Sequence, residues 1–255
     1  MGIATDLARR IIEFQFEDID PEALKWAKWG MLDTIGVTLA GAHEDCTKII
    51  EQIHFTDGAL EGGPSLIFGT GRRTSALNAA VINGTAAHAI DFDDCNNTLG
   101  GHPSAPILPG LIALAEARHA SGKDVLAAYL VGFETEAAIA RVVNYYHYEK
   151  GWHPTATLGT FGATASACHL IGLNAEKIAV ALGLAVSLAA GVKANFGTMT
   201  KPLHVGETTR SGLVAALLVE QGFTANEGAF EHAHGFLALF NGEGNTATTN
   251  VVSVG

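Results

Sequence analysis

Charge is scarce in this sequence. Asp, Glu, Lys and Arg make up only 16% of 255 positions, against 48% hydrophobic residues. So little charge implies a small surface over a large core, or a surface partly covered by a partner, and both fit an obligate oligomer. Positive charge is scarcer still, with 15 basic against 26 acidic residues and a formal net charge of −11. A phosphate backbone or an anionic bilayer repels such a chain, which argues against nucleic acid and membrane partners. An anionic small substrate stays open, but it requires a local cationic pocket. Cysteine is limited to Cys46, Cys95 and Cys168, odd in number and without a CxxC pair. That pattern points to reduced thiols and a cytoplasmic setting. The opening MGIATDLARR lacks the apolar stretch of a signal peptide. The longest apolar run, Ile178 to Val192 with Ser187 inside it, falls short of the roughly 20 residues of a membrane span and reads as a buried helix. There is no G-x-S-x-G elbow and no P-loop, and Gly69-x-Gly71 lacks the strand–turn–helix setting of a dinucleotide site.

What is present reads almost entirely as helix, enough for one domain or at most two. Asp20-Pro21 offers an N-cap and a first-turn Pro, followed by Leu24, Ala27, Met31 and Ile35 at helical spacing. Asp57 to Ser65 reads as a loop, and Thr74 or Ser75 caps a helix to about His88. Further helices are expected from Pro103 to about Ser121, Asp124 to about Tyr145, Pro154 to Leu170, Ala175 to Val192 and Pro202 to Gln221. Gly172-Leu173-Asn174 separates two of them as a C-cap and turn. Only Ser65 to Phe68 suggests a strand. Gly159, Gly162, Ala163, Ala165 and Ala167, then Ala179, Ala181, Gly183 and Ala185, imply close helix packing.

The densest chemistry lies between Asn83 and Pro109. His88, Asp91, Asp93, Asp94 and His102 fall within fifteen residues, in a loop between apolar helices. The plain alternative is that these carboxylates cap helix ends or stay solvated. A second pattern is the pairing of basic residues with Pro, at His102-Pro103, His153-Pro154 and Lys201-Pro202, three of seven prolines. Composition predicts about 0.7 such pairs. With each Pro at the first helical position, His102, His153 and Lys201 sit at helix N-termini. A cation there is disfavoured by about 0.3–1 kcal/mol. Free N–H groups beside a basic side chain nevertheless suit an anion, and the dipole lowers the basic group's pKa. If the three helix ends converge, they form a pocket for a polycarboxylate, with His204 nearby in the first turn of its helix.

Metal binding is the main rival reading. H-x2-D-x-D-D-x7-H supplies nitrogen and carboxylate ligands, yet it matches no compact metal motif, and Asp91 and Asp94 share a helical phase from which Asp93 departs. No metal is therefore assigned. His232 and His234 read as loop histidines. Cys95 is a candidate nucleophile without an identified base.

Several stretches carry a resemblance to the MmgE/PrpD family. They are HAIDFDD with GHPSAPILPGLIALAEA, then GWHPTATLGTFGATASACHLIGL, then KPLHVGETTRSGLVAALLVEQGFT with HGFLALF. They occur in order from about residue 20 to 245. The resemblance implies an all-α, multi-helix bundle-like domain spanning 1–245, a smaller α/β lid domain, a homodimer, and no cofactor for the decarboxylase and epimerase members. By motif it implies catalytic roles for Asp91, His102, His153 and Lys201, with Cys95, His204 and Asp94 at the substrate. Cys95 stands where the family commonly has Thr, and the loop from Asn96 to Gly101 departs from the decarboxylase-like pattern. Residues 246–255 read as the start of an absent lid or a disordered tail, so the chain is expected to be a fragment, a split gene product or a truncated form. The reading that follows is proton transfer next to a carboxylate of a di- or tricarboxylic acid, with dehydration of the 2-methylcitrate type ahead of cis-aconitate-type decarboxylation or iminodisuccinate-type epimerisation. A metal-dependent hydro-lyase and a catalytically silent helical module are the alternatives. Lys201, His153 and His204 are expected to hold carboxylates, and His102 to exchange the proton with Asp91 orienting it.

Overall fold

A computed structural model describes residues 2–56, 62–242 and 244–246. It is an all-α domain. The helices are α1 (Ile3–Glu13), α2 (Pro21–Gly41), α3 (Asp45–Thr56), α4 (Ala76–His88), α5 (Ser104–Arg118), α6 (Gly122–Val143), the short α7 (Tyr146–Glu149) and α8 (Pro154–Thr157), α9 (Gly159–Leu170), α10 (Ala175–Leu188) and α11 (Thr200–Glu220). A single antiparallel pair, β1 (Ser65–Leu66) with β2 (Arg73–Thr74), is the only sheet among the described residues. It is shorter than the strand expected from Ser65 to Phe68. Most of the loop expected from Asp57, and the tail after residue 246, lie outside the described residues.

Local chemistry explains most boundaries. Asp20 accepts from the Glu22 N–H with Pro21 at the first position of α2, and Ser75 accepts from the Asn78 N–H to start α4. Ser121 and Asp124 form a reciprocal capping box at α6, and Asn174 caps α10. Several boundaries differ from expectation, and the helix expected from Pro154 to Leu170 is divided at Leu158 into α8 and α9. Pro103 is the residue preceding α5, and Pro202 is the third residue of α11. Both positions are permissive, because the first four N–H groups of a helix have no intrahelical acceptor for Pro to remove. α10 stops at Leu188, before Val192. Ala189 turns extended, Gly191 takes φ +121°, and Val192 bridges to Trp152 instead.

α4, α9 and α11 form the centre. Every residue from Ala79 to His88 and from Gly159 to Cys168 is buried. α4 and α11 pack most extensively, because Gly84 and Gly206 face each other. A Cβ on Gly206 would collide with the Val81 carbonyl and the Thr85 hydroxyl, and one on Gly84 would come within 3.0 Å of the Gly206 Cα. This close crossing brings the start of α11 beside the end of α4. Around the centre lie α5, α6 and α10, with α1 laid on α10 through Ile3, Leu7 and Ile11. On the outside, Trp26, Trp29 and Leu32 of α2 and Ile49 and Ile53 of α3 stay exposed. No described helix is long and apolar enough to cross a membrane.

Candidate active site

The site forms where the end of α4, the loop before α5, the start of α8 and the first turn of α11 meet. His88 is the last residue of α4. Asp91 follows in a left-handed conformation (φ +54°), uncommon outside glycine but tolerated by Asp. No helix continues here, so the helical phase expected for Asp91 and Asp94 does not apply. Asp93 instead faces inward, its carboxylate 2.8 Å from His88 Nδ1, and both side chains are fully buried. Asp94 points to the opposite side. It accepts from the Ser104 N–H at 3.1 Å and from its hydroxyl at 2.5 Å, holding the start of α5, and the Ser104 hydroxyl also meets the Tyr129 hydroxyl at 2.6 Å.

His102 lies beside this pair. Its Nδ1 is 3.1 Å from the Asp93 backbone oxygen and 3.4 Å from the Asp93 carboxylate, and its Nε2 is 3.5 Å from Asp91 Oδ1. The His102 N–H donates to the Thr155 hydroxyl at 3.1 Å, which ties the loop to α8. The same Asp91 oxygen accepts from Lys201 Nζ at 2.5 Å. On the other side the His88 ring is 4.8 Å from that of His102 and 5.6 Å from that of His153. His153 precedes α8, its N–H held by the Gly191 carbonyl, and its Nδ1 lies 3.2 Å from His204 Nδ1 on α11. Cys95 Sγ is 3.7 Å from His102 Nδ1. The structure therefore brings Asp91, Cys95, His102, His153, Lys201 and His204 into one cluster, while Asp94 serves the base of α5. His232 and His234 lie in an exposed turn, in contact with each other.

Three contributors had no site role assigned from sequence, although His88 and Asp93 belonged to its dense polar stretch. His88 and Asp93 supply the buried pair. Phe196 meets the His153 ring edge-on at 4.9 Å and lies under Lys201 Nζ at 5.1 Å from its centroid. The HxxDxD spacing was a usable signal for the pair, whereas nothing in the local sequence marks Phe196.

The electrostatics separate the members. Burial pushes His153 down to about 2, helped by His88, His204 and Lys201, so it is a neutral imidazole. Burial, then His88, lowers His204 as well. Burial alone would raise Asp91, but the Lys201 hydrogen bond and charge, with His88 and His102, outweigh it and hold the carboxylate below its usual range. The Cys95 thiol is raised by burial and then by Asp93, Asp94 and Asp91, which keeps it protonated and works against a nucleophile role. His88 Nε2 is buried with no polar partner, an arrangement that costs about 1–3 kcal/mol. Ligand atoms of His88, Asp91, Asp93 and His102 lie within 4.8 Å of one another, a spacing open to a cation. Lys201 already places an ammonium on the Asp91 carboxylate there.

The MmgE/PrpD N-terminal domain model matches residues 5–248. The chain belongs to the MmgE/PrpD family. Within that family it is 32% identical to cis-aconitate decarboxylase of Homo sapiens over 94% of this chain and 50% of that protein. It is 28% identical to cis-aconitate decarboxylase of Aspergillus terreus over 94% of this chain and 50% of that protein. It is 25% identical to the mitochondrial 2-methylcitrate dehydratase of Yarrowia lipolytica over 86% of this chain and 44% of that protein. This MmgE/PrpD chain thus spans about half the length of the curated relatives it matches.

Proposed function

We propose that this chain carries the proton-transfer half of a lyase acting on a small di- or tricarboxylic acid. The observation that carries the reading is the meeting of three separate helix starts: His102 and Lys201 both reach the half-exposed Asp91 carboxylate, and His153 joins them through the His88 and Phe196 rings. Lys201 supplies the positive charge for a substrate carboxylate, and Asp91 keeps its ammonium aimed. His153 and His204 are neutral, so they contribute hydrogen bonds rather than charge. Their mutual 3.2 Å contact leaves one ring donating and the other accepting. His102 exchanges the proton on the carbon next to the carboxylate, and negative charge building on the enolate-like intermediate falls toward Lys201.

Sequence reasoning favoured dehydration over decarboxylation. The relatives named cis-aconitate decarboxylase reach 32% identity, against 25% for the dehydratase, so decarboxylation of a cis-aconitate-type acid is the first reaction to test. Around the site Phe92, Met199, Val192 and Ile90 are exposed, an apolar rim suited to a covering lid. The exposed stripe of Trp26, Trp29 and Leu32 supports pairing of two copies, and the free thiols of Cys46, Cys95 and Cys168 support a cytoplasmic setting.

The test is incubation of the folded chain with cis-aconitate, 2-methylcitrate and related acids, following carbon dioxide release and alkene absorbance. Turnover of one acid is the expected result. No turnover at high concentration of folded chain identifies a silent helical module. A metal-assisted hydro-lyase is the second reading, favoured by the four-ligand group at His88, Asp91, Asp93 and His102. Stoichiometric metal by elemental analysis, with activity lost to a chelator, would select it.

A further inference from the structure

The sequence pattern suggested Asp91 as the carboxylate that orients His102, but the geometry around His102 points elsewhere. Asp91 is 56% exposed and its nearer oxygen is taken by Lys201. Asp93 is fully buried, and it touches both imidazoles at the centre of the cluster. Two oxygens of Asp93, the backbone carbonyl at 3.1 Å and the carboxylate at 3.4 Å, face His102 Nδ1. The carbonyl only accepts, as does the carboxylate when ionised, and both lie closer to Nδ1 than the Asp91 oxygen lies to Nε2 (3.5 Å) or the Cys95 sulfur to Nδ1 (3.7 Å), so these contacts favour the hydrogen of a neutral ring on Nδ1. The other nitrogen, Nε2, then bears the lone pair on the side of Asp91 and Lys201.

His88 explains how Asp93 is held. Its Nδ1 lies 3.0 and 2.8 Å from the two Asp93 carboxylate oxygens. Its ring stands edge-on to His102 at 4.8 Å, and its Nε2 finds no polar partner. A fold selected for stability alone would fill this volume with apolar side chains rather than a buried hydrogen-bonded dyad with an unsatisfied nitrogen. A pair that fixes the neighbouring ring accounts for both. We infer that Asp93 and His88 are positioning residues that lock His102 as its Nδ1–H tautomer, leaving Nε2 as the atom that exchanges the substrate proton. This inference rests on the lyase reading for its purpose, but its geometry can be measured without turnover.

The measurement is the imidazole nitrogen spectrum of the ¹⁵N-labelled chain, at a pH high enough to leave His102 neutral. The expected result is a single Nδ1–H tautomer for both His88 and His102. An Nε2–H form of His102 in the unaltered chain overturns the inference. Asp93→Ala should replace the single His102 tautomer with a mixture. It should also lower kcat by about 10²-fold with KM changed little, since a misoriented base costs chemistry rather than binding. Asp93→Asn, which still offers a carbonyl to His88, should restore part of both. An unchanged His102 tautomer in Asp93→Ala overturns the role of the carboxylate. If that variant fails to fold by circular dichroism, the spectrum of the unaltered chain still decides. A wild-type chain that shows the tautomer but turns over no acid refutes the lyase reading alone.

Discussion

The inner and outer halves of the site are built on different physics. The inner half, His88, Asp93 and His153, is buried, and burial holds His153 neutral. Its members are fixed by short contacts to one another and to backbone, notably the Gly191 carbonyl. The outer half, Asp91, Lys201 and Cys95, is partly solvated, and its ion pair keeps Asp91 charged. Desolvation makes the inner groups sensitive to shape and pH but indifferent to salt, while the outer pair is screened. His102, 16% exposed, sits where they join. Orientation thus comes from within the fold, and charge from its surface.

The largest break in this arrangement is His102→Ala, which removes the junction. It should lower turnover of the responsive acid by about 10³-fold while leaving the melting temperature and circular dichroism close to the parent. Near-normal turnover would remove His102 from the chemistry. Lys201→Met breaks only the outer half. It should lower kcat/KM by about 10²-fold and abolish the rise of KM with added salt that the parent should show. A KM that stays salt-dependent in the variant would place the substrate's electrostatic contact on another residue.

Much of this was legible in the sequence, for reasons that differ by residue. His102, His153 and Lys201 stood out because each precedes a proline, Asp91 because it lies in a dense polar loop, and Cys95 through the family resemblance. α2 and α4 were legible through their caps, Asp20 and Ser75, and the break between α9 and α10 through Gly172-Leu173-Asn174. α1 and α3 were not singled out, although Ile3, Leu7 and Ile11 recur at helical spacing. The direction of each loop carboxylate was hidden. Asp93 and Asp94 are adjacent and chemically alike, yet one is drawn to His88 and the other to Ser104. That choice follows from the positive φ of Asp91 and from the position of α5, and neither is written in local residue pattern. Phe196 was equally hidden, since its neighbours are supplied by α8 and α11.

Two smaller perturbations sharpen the contrast. Gly206→Val drives a side chain into α4 beneath both halves. It should destabilise the chain by about 2 kcal/mol in urea unfolding, as overpacking of a close crossing does. No loss would mean that α11 can shift on α4 without cost. Acid tests the inner half's neutrality. Unfolded histidine takes up a proton near pH 6.5, whereas burial holds His153 down to about 2 and, outside the site, His147 of α7, buried against the Thr157 hydroxyl, to about 4. Between those values the unfolded chain binds more protons. Stability should therefore fall as pH drops below about 6.5, by up to about 1.4 kcal/mol per pH unit for each such group. Urea midpoints measured from neutral to mildly acidic pH check this, and a flat profile would show that these rings are solvated.

The crossing of α4 and α11 has one more consequence. Because glycine meets glycine there, with only the short, buried side chains of Thr85 and Thr209 beside them, the spacing between His88 on one rod and Lys201 and His204 on the other is gauged chiefly by main chain against main chain. A gauge of that kind leaves substitution elsewhere free to alter what the site holds without altering how far apart its two supports stand.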